Sequence, residues 1–197
     1  MHAPAKPFQT LPAEPRVHRW TKEEYYRTAE VLGLRHVELM GGEVIDMSPI
    51  GPQHATAVVL ARQALERAMP GFYVREQVPF DAAEDSEPEP DLAVVRGSPR
   101  DHRDAHPKQV ALIVEVADWS VTYDRGPKAS RYGASGVEDY WVLNLPQRQL
   151  EVFRDPRPDA SQPFGFGYAS HTVVPADGII SPLAAPQAII HVKDLLP

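Results

Sequence analysis

The stretch "VALIVEVADW", residues 110–119, places one carboxylate, Glu115, inside an apolar run. A continuous apolar run of this kind is typical of a β-strand that is covered on both faces. Because burying an unpaired carboxylate costs several kcal/mol, Glu115 must be protonated, paired with an arginine or lysine, or bound to a cation. For a lone glutamate in a strand, an ion pair or a strand end that reaches solvent is the ordinary explanation.

The elements around this strand indicate an α/β fold. The pattern predicts a helix over 54–71, a strand with alternating apolar residues over 72–80, and further buried strands over 91–95 and 137–145. "DRGPKASRYGASG", residues 124–136, is typical of a short helix with Pro127 near its first turn. The order helix, strand, strand, strand, helix, strand (α-β-β-β-α-β) predicts a mixed central sheet flanked by helices.

Two further elements are predicted before this core. "WTKEEYYRTAEVLG" begins with a capping box in which Thr21 and Glu24 exchange hydrogen bonds, and Gly33 is expected to end the helix. Glycines 41–42 separate two short apolar-rich runs, as in a two-residue β-hairpin. After the core, "QLEVFR" is expected to form an outer strand, and only short strand-like pieces are expected beyond residue 155.

The composition is that of a folded globular protein, with 197 residues and a formal charge of -7. We divide the chain into a flexible proline-rich arm (1–19), a core domain (20–155) and a C-terminal extension packed on the same domain (156–197). There is no cysteine, which excludes disulfides and thiolate metal sites and agrees with a cytoplasmic location. We expect no membrane association, since no apolar run is long enough to span a bilayer and no secretory signal is recognised. The acidic balance argues against unaided, non-specific DNA binding, although it leaves room for a local basic patch.

Asp91 gives Glu115 a possible partner, because "EPEPDLAVV" places it at the start of the preceding strand. If the two strands pair, the carboxylates converge across the ~4.8 Å that separates neighbouring strands. Two such acids repel each other unless a cation lies between them, and hard oxygen ligands suit Mg²⁺ or Mn²⁺. Lys128, thirteen residues after Glu115, lies on a helix that can fold back over the sheet and could orient water or stabilise a phosphate. The alternative for this lysine is a solvated surface position.

These residues resemble the PD-(D/E)XK nuclease superfamily, and the wider text resembles its Uma-type restriction endonuclease family. "HVELMGGEVIDMSP", "EPDLAVV", "LIVEVADWS", "DRGPKASRYGASGVEDYWVLN" and "LEVFR" follow the family's order over roughly residues 20 to 155. The resemblance implies a restriction-endonuclease-like core and a Mg²⁺-dependent or Mn²⁺-dependent endonuclease that hydrolyses DNA. It also implies metal ligation by Asp91, Glu115 and the carbonyl of Val116, and a homodimer. Two positions depart from the pattern: Ala117 stands where the superfamily's lysine is usual, so that its role passes to Lys128, and Trp119 stands where proline is common.

Other residues are weaker candidates for the site. Glu38 matches the family's hairpin glutamate and could be a third acid near the metal, or it could be an exposed hairpin residue. His54 heads a helix and could position water or a phosphate, although we slightly favour a local hydrogen bond. Glu76 could join the site or form a salt bridge with Arg75 or another base. Tyr132 and Tyr140 are expected in the core, and Asp124 is expected to cap the lysine-bearing helix.

Two other functions stay open beside the DNA endonuclease. The acidic balance favours a catalytically inactive nuclease-fold module that binds or assembles. A metal-dependent hydrolase of a smaller phosphoester is the third possibility.

Overall fold

The N-terminal part of the structure, a computed structural model that describes residues 16–32 and 37–197, consists of two helices and a hairpin. These are α1 (Lys22–Leu32), β1 (Val37–Met40), β2 (Glu43–Asp46) and α2 (Pro52–Ala68). The predicted capping box is present, since the Thr21 N–H donates to Glu24 Oε2 at 2.9 Å and the Glu24 N–H to Thr21 Oγ1 at 3.3 Å. The hairpin turns at Gly41 and Gly42, whose φ angles of 60° and 75° suit a type I′ turn. Gly33 and most of the proposed arm lie outside the described residues.

A six-stranded mixed sheet forms the centre of the fold. In spatial order its strands are β3 (Phe72–Glu76), β4 (Leu92–Arg96), β5 (Leu112–Ala117), β6 (Asp139–Asn144), β7 (Gln149–Pro158) and β8 (Phe166–Pro175). Strands β5 and β6 pair in parallel and the remaining neighbours pair antiparallel. A helix connects the one parallel pair, as a crossover requires. The predicted α/β fold and its element order are therefore confirmed.

Residues alternate along β5 between the two faces of the sheet. Val114 and Val116 belong to a core that also contains Leu65 of α2, whereas Ile113 belongs to a second core that contains Tyr132. Glu115 therefore points to the same face as Ile113. Because the strand is covered on both sides, its apolar run is continuous, and the acid faces the helix that follows the strand.

That helix, α3, runs over residues 121–134 and contains a π-helical turn. Its α-helical parts, Val121–Tyr123 and Ala129–Ala134, flank the π-helical turn Asp124–Lys128. Pro127 lies inside the helix and not near its first turn, contrary to the prediction. Proline lacks an N–H and clashes with the carbonyl of the preceding turn, and the wider π turn accommodates it.

Several predicted elements differ in extent. The strand predicted over 72–80 ends at Glu76, because Gln77 has a φ of 48° and turns the chain. As a result, Phe80 packs in the core beneath α3 and Val74 in the core beneath α2. Strand β7 is not an outer strand, since the ten-residue β8 pairs with it along its length.

The C-terminal residues return to the α2 side of the sheet. Two short strands, β9 (Ile179–Ile180) and β10 (Ile190–His191), pair antiparallel, and a 3-10 turn (Val192–Asp194) follows. Ile190, Val192 and Leu195 pack into the core beneath α2. Among the helices of the described residues, none is long and apolar enough to cross a membrane.

Candidate active site

Asp91 and Glu115 meet at the junction of β4 and β5. The strands pair antiparallel with Leu92 opposite Val114, and continuing that register by one residue places the two acids opposite each other. Asp91 Oδ2 accepts the N–H of Val116 at 2.8 Å, and the Asp91 N–H lies 3.4 Å from Glu115 Oε2. The expected convergence of the two carboxylates is thus a consequence of strand register.

Two side chains of α3 hold the other oxygen of Glu115. Lys128 Nζ lies 3.0 Å from Glu115 Oε1, and the hydroxyl of Tyr132 donates to the same oxygen at 2.6 Å. Glu115 is only 3% exposed and Lys128 only 1%, so the solvated position considered for this lysine is excluded. The residues are one helical turn apart on α3 and present an ammonium and a hydroxyl to a single carboxylate.

Glu38 binds the same ammonium from the hairpin. Its Oε2 lies 3.5 Å from Lys128 Nζ and accepts the N–H of Glu89 at 3.1 Å. Glu38 is fully buried, which excludes the exposed hairpin position. Its other oxygen, Oε1, is buried without a hydrogen-bond partner among the described residues. Lys128 therefore bridges an acid of the hairpin and an acid of the central sheet.

His54 contacts the site through Asp91 and not through a local hydrogen bond. Its Nε2 lies 2.9 Å from Asp91 Oδ1, and Gln77 Nε2 lies 3.4 Å from the same oxygen. Burial lowers the pKa of His54, but the hydrogen bond and charge of Asp91 outweigh burial and raise the pKa above its ordinary value. His54 and Gln77 therefore fix the orientation of the Asp91 carboxylate.

The electrostatics of the site show an excess of acid. Burial, together with the charges of Asp91 and Asp124, raises the pKa of Glu115 to about 8, although Lys128 acts in the opposite direction. Burial also raises the pKa of Asp124 to about 6. Burial alone would lower the pKa of Lys128, but the surrounding carboxylates, above all Glu115, raise it well above its usual value. Lys128 is therefore charged at neutral pH, and its single ammonium is the counter-charge for several carboxylates.

Most of these side chains line a cleft of about 470 Å³. Asp91, Glu115, Val116 and Lys128 all line it, and so does His54, whereas Glu38 does not. The segment between β2 and α2 forms one wall, and the loop that follows β5 forms another. The cleft gives solvent and a substrate access to the acid pair.

The remaining candidates have structural roles. Glu76 does not join the site but pairs with Arg62, at 3.1 Å between Oε2 and Nε. Tyr140 is buried and donates to the carbonyl of Asp124 at 3.0 Å. Asp124 does not cap the helix, because α3 begins earlier than predicted, at residue 121; it lies within the π turn and accepts a hydrogen bond from Ser120 Oγ at 2.5 Å.

The oxygen donors of the cleft fit a hard divalent cation that needs only a few ligands from the protein. Among the described residues, no group of three or more histidine, aspartate or glutamate side chains is arranged to hold a metal ion. Magnesium is commonly held by only one or two carboxylates and keeps several waters or substrate oxygens. Asp91, Glu115 and the Val116 carbonyl are the described groups that could supply such a set, and a cation bound there would offset the excess of buried acid.

Sequence reasoning missed the contact of Tyr132 with Glu115 and the position of Tyr123. Tyr123 lines the cleft, and its buried hydroxyl has no hydrogen-bond partner among the described residues. Burial and nearby acids, first of all Glu38, raise the pKa of this phenol well above its usual value, so it is a neutral donor. The only signal in the sequence is the four-residue spacing of Lys128 and Tyr132, about one α-helical turn.

Comparisons with known proteins agree with this architecture. A family model described as "Uma2: Putative restriction endonuclease" matches residues 22–190, which extends the similarity beyond residue 155. The fold is similar to the crystal structure of a putative nuclease belonging to DUF820 from Anabaena variabilis, with a TM-score of 0.65, 14% identity, and coverage of 89% of this chain and 97% of that chain. No curated protein matches the sequence.

Family and fold together indicate a nuclease of the restriction-endonuclease type. At 14% identity, the structural neighbour supports the fold, and the family model carries the relationship. Since that model covers most of the described chain, the protein belongs to the Uma2 (putative restriction endonuclease) family.

Proposed function

We propose that the protein is a metal-dependent endonuclease that hydrolyses the phosphodiester bonds of DNA, with Mg²⁺ or Mn²⁺ as its cofactor. The observation that carries the proposal is the junction of β4 and β5, where Asp91 lies opposite Glu115 and Lys128 Nζ lies 3.0 Å from Glu115 Oε1. Two carboxylates and an ammonium at the floor of an open cleft are the groups that phosphodiester hydrolysis needs. Family and fold support a nuclease, and the arrangement of these residues is the basis for the finer assignment.

The proposed metal ligands are Asp91, Glu115 and the backbone carbonyl of Val116. Each carboxylate keeps lone pairs beyond its present hydrogen bonds, because every oxygen can accept more than once. When bound, the metal ion supplies a Lewis acid that polarises the scissile phosphate and lowers the pKa of the attacking water. The protein's contribution is to hold the two acids rigidly on neighbouring strands.

Lys128 is the proposed stabiliser of charge that develops on the phosphate, or the group that orients the water. Glu38, 3.5 Å from Lys128 Nζ, helps to hold the ammonium of Lys128 in place. His54 holds Asp91, and its raised pKa provides a proton donor close to the ligand. Tyr123 lines the cleft, and its hydroxyl, which has no hydrogen-bond partner among the described residues, is the proposed donor to a phosphate oxygen that enters the cleft.

Plasmid cleavage tests the catalytic proposal. Supercoiled DNA incubated with the protein and Mg²⁺ or Mn²⁺ is expected to be nicked and linearised, and Glu115→Gln is expected to reduce the rate by about 100-fold or more, since even the outer partners of metal ligands are worth 10–100-fold. Asp139→Asn is the matched control: Asp139 is a fully buried acid on the same sheet, bound to Arg154 outside the cleft. Equal cleavage by wild type and Glu115→Gln, or none by either across metals and salt concentrations, would refute the proposal.

Calorimetry provides a readout of the metal site that does not depend on turnover. Wild type and Asp139→Asn are expected to bind one Mn²⁺, and Asp91→Asn and Glu115→Gln are expected to lose most of that affinity. Lys128→Met is expected to keep or increase it, because the variant removes a competing positive charge and retains both carboxylates. Unchanged binding in both acid variants would place the metal elsewhere.

A non-catalytic module is the second candidate, and one observation favours it. Lys128 already neutralises part of the charge of Glu115 in a buried ion pair. The buried carboxylates therefore have part of their counter-charge without a metal ion. Absence of Mg²⁺ and Mn²⁺ binding by the wild-type protein would support this module. Turnover of a small model diester without DNA cleavage would instead support the third function.

We also propose a two-fold homodimer, because a symmetric DNA site offers the same bond on each strand to a symmetric enzyme. The C-terminal stretch "AIIHV" retains an exposed apolar side chain, Ile189, beside the buried Ile190. Sedimentation that gives the mass of a monomer at all concentrations would contradict this part of the proposal.

A further inference from the structure

An exposed tryptophan lies at the mouth of the cleft. Trp119 is 87% exposed, lines the cleft, and follows β5 four residues after Glu115. Within the part of the chain that the structure describes, its ring makes no aromatic or cation–π contact. An exposed indole gains none of the free energy that burial of this large apolar ring would provide. Packing within the fold therefore does not explain why a tryptophan lies at this position.

The opposite wall of the cleft carries a second exposed apolar side chain. Ile50 is 48% exposed and belongs to the segment between β2 and α2. The two walls approach closely beside it, since a Cβ added to Gly51 would lie 3.9 Å from Asp118 Oδ2. Apolar groups therefore flank the entrance from two different elements of the fold.

The charge of the cleft is unfavourable for holding DNA by its phosphates. Its described lining contains six carboxylate side chains, and their only basic neighbours there are Lys128 and His54. Proteins that bind nucleic acid through the backbone do so with several lysines and arginines and release of counterions. Beyond the proposed metal ion and Lys128, affinity near this cleft is therefore expected to come from contacts that do not depend on charge, and stacking of bases on aromatic side chains is such a contact.

We infer that Trp119 and Ile50 form a base-stacking subsite at the mouth of the cleft, and that the substrate presents an unpaired nucleotide beside the scissile phosphate, either in a single strand or flipped out of a duplex. A paired base inside a duplex has both faces covered by its neighbours, whereas an unpaired base offers a free face to the indole. The four residues from Glu115 to Trp119 span at most ~14 Å, about four base steps of ~3.4 Å. The subsite therefore lies within a few nucleotides of the acid pair. The inference rests on the proposed function for the identity of the ligand.

Fluorescence reads this subsite directly. The chain has three tryptophans, Trp141 is buried and Trp20 is half-buried, so the difference between wild type and Trp119→Phe isolates the exposed indole. Titration with a short single-stranded oligothymidylate, with Ca²⁺ in place of Mg²⁺ to limit turnover, is expected to quench that signal saturably. The blunt duplex of the same length is expected to bind at least fivefold more weakly.

Anisotropy of the labelled oligonucleotide then compares variants. Trp119→Ala is expected to bind about 5- to 150-fold more weakly, the fold-change that corresponds to 1–3 kcal/mol of stacking at 1.4 kcal/mol per tenfold. Trp119→Phe is expected to retain most of the affinity. Val31→Ala, which shortens an exposed apolar side chain of α1 outside the cleft, is the matched control and is expected to bind as wild type does.

Three results would overturn the inference. The first is the absence of quenching, and the second is equal affinity for single strand and duplex. The third is a shift of Trp119 emission with protein concentration in the absence of DNA, because it would mean that the indole lies in a contact between copies of the protein. Plasmid cleavage is scored separately. Specific quenching without any cleavage would refute the proposed catalysis and retain the stacking subsite, whereas cleavage without quenching would do the reverse.

Discussion

Replacing Tyr132 by phenylalanine removes one hydroxyl and leaves the packing of its ring unchanged. That hydroxyl donates to Glu115 Oε1 at 2.6 Å in a fully buried setting. At about pH 9, above the pKa of about 8 of Glu115, the acceptor is charged, and a hydrogen bond to a charged group contributes about 1.5–3 kcal/mol. At about pH 6 the acceptor is neutral, and the contribution is expected to fall to about 0.5–1.5 kcal/mol.

Equilibrium unfolding in EDTA at both pH values measures this difference. For a chain of this length, the loss at about pH 9 corresponds to a melting temperature lower by about 3–12 °C. Tyr140→Phe is the matched control, because that buried hydroxyl donates to the neutral carbonyl of Asp124; its cost is expected to be about 0.5–1.5 kcal/mol at both pH values. In a Glu115→Gln background, the cost of Tyr132→Phe is expected to match the control, which isolates the interaction in a double-mutant cycle.

Equal destabilisation by Tyr132→Phe and Tyr140→Phe at about pH 9 would contradict this prediction. The same cost of Tyr132→Phe with glutamate or glutamine at position 115 would contradict it as well. Either result would mean that the hydroxyl does not serve the charge of Glu115.

Three further predictions follow from the geometry. Burial would raise the pKa of Glu151, but hydrogen bonds from Arg125, Asn144 and Gln149 lower it to about 2. The contribution of Glu151 to the free energy of unfolding is therefore complete above pH 4.5 and is lost as the pH falls toward 2. Glu151→Gln should flatten the acid limb of a stability–pH profile measured by urea unfolding. Gly42→Ala should lower the free energy of unfolding by more than the ~1–2 kcal/mol of a left-handed residue, because the added Cβ would lie 2.6 Å from Arg19 Cβ. Gly71→Ala should lower it only by that strain, because the added Cβ would meet nothing within 4 Å. Mn²⁺ at 100 times its dissociation constant adds about 2.7 kcal/mol to the free energy of unfolding and should raise the melting temperature by about 5–11 °C. The same addition should leave the melting temperature of Glu115→Gln nearly unchanged. An equal rise in both proteins would contradict the ligand assignment.

The pairing of Asp91 with Glu115 could be predicted because it depends on a local pattern. Both acids lie at defined points of apolar runs, and a buried strand next to another buried strand fixes where they meet. The order of strands and helices followed from the same periodicity. The family resemblance supplied Lys128, whose distance along the chain alone did not show that it reaches Glu115.

The contacts that the sequence did not indicate depend on helix phase and on long-range pairing. The π turn lies between Tyr123 and Lys128 and shifts their relative phase by about one residue, so ordinary helical spacing could not place Tyr123 on the same side of α3 as Lys128. Gln77 ends β3 through a backbone angle that no residue type in "REQVPF" signals. Strand β8 is exposed over more than half of its length, so its sequence lacks the alternation of buried apolar and exposed polar residues by which strands are predicted. Its pairing with β7 defines it as a strand.

The hairpin is a separate two-stranded sheet, joined to the loop before β4 by a few backbone contacts such as the 2.8 Å hydrogen bond from the Glu87 N–H to the Leu39 carbonyl. It nevertheless supplies Glu38, one of the two acids nearest to Lys128. A local opening that lifts the hairpin would leave this lysine with a single close counterion and admit water behind it. The charge environment of Lys128, the proposed catalytic amine, therefore depends on whether a hairpin far away in sequence stays closed. Amide hydrogen exchange in β1, on the time scale of such openings, would report the fraction of molecules in which the site is assembled.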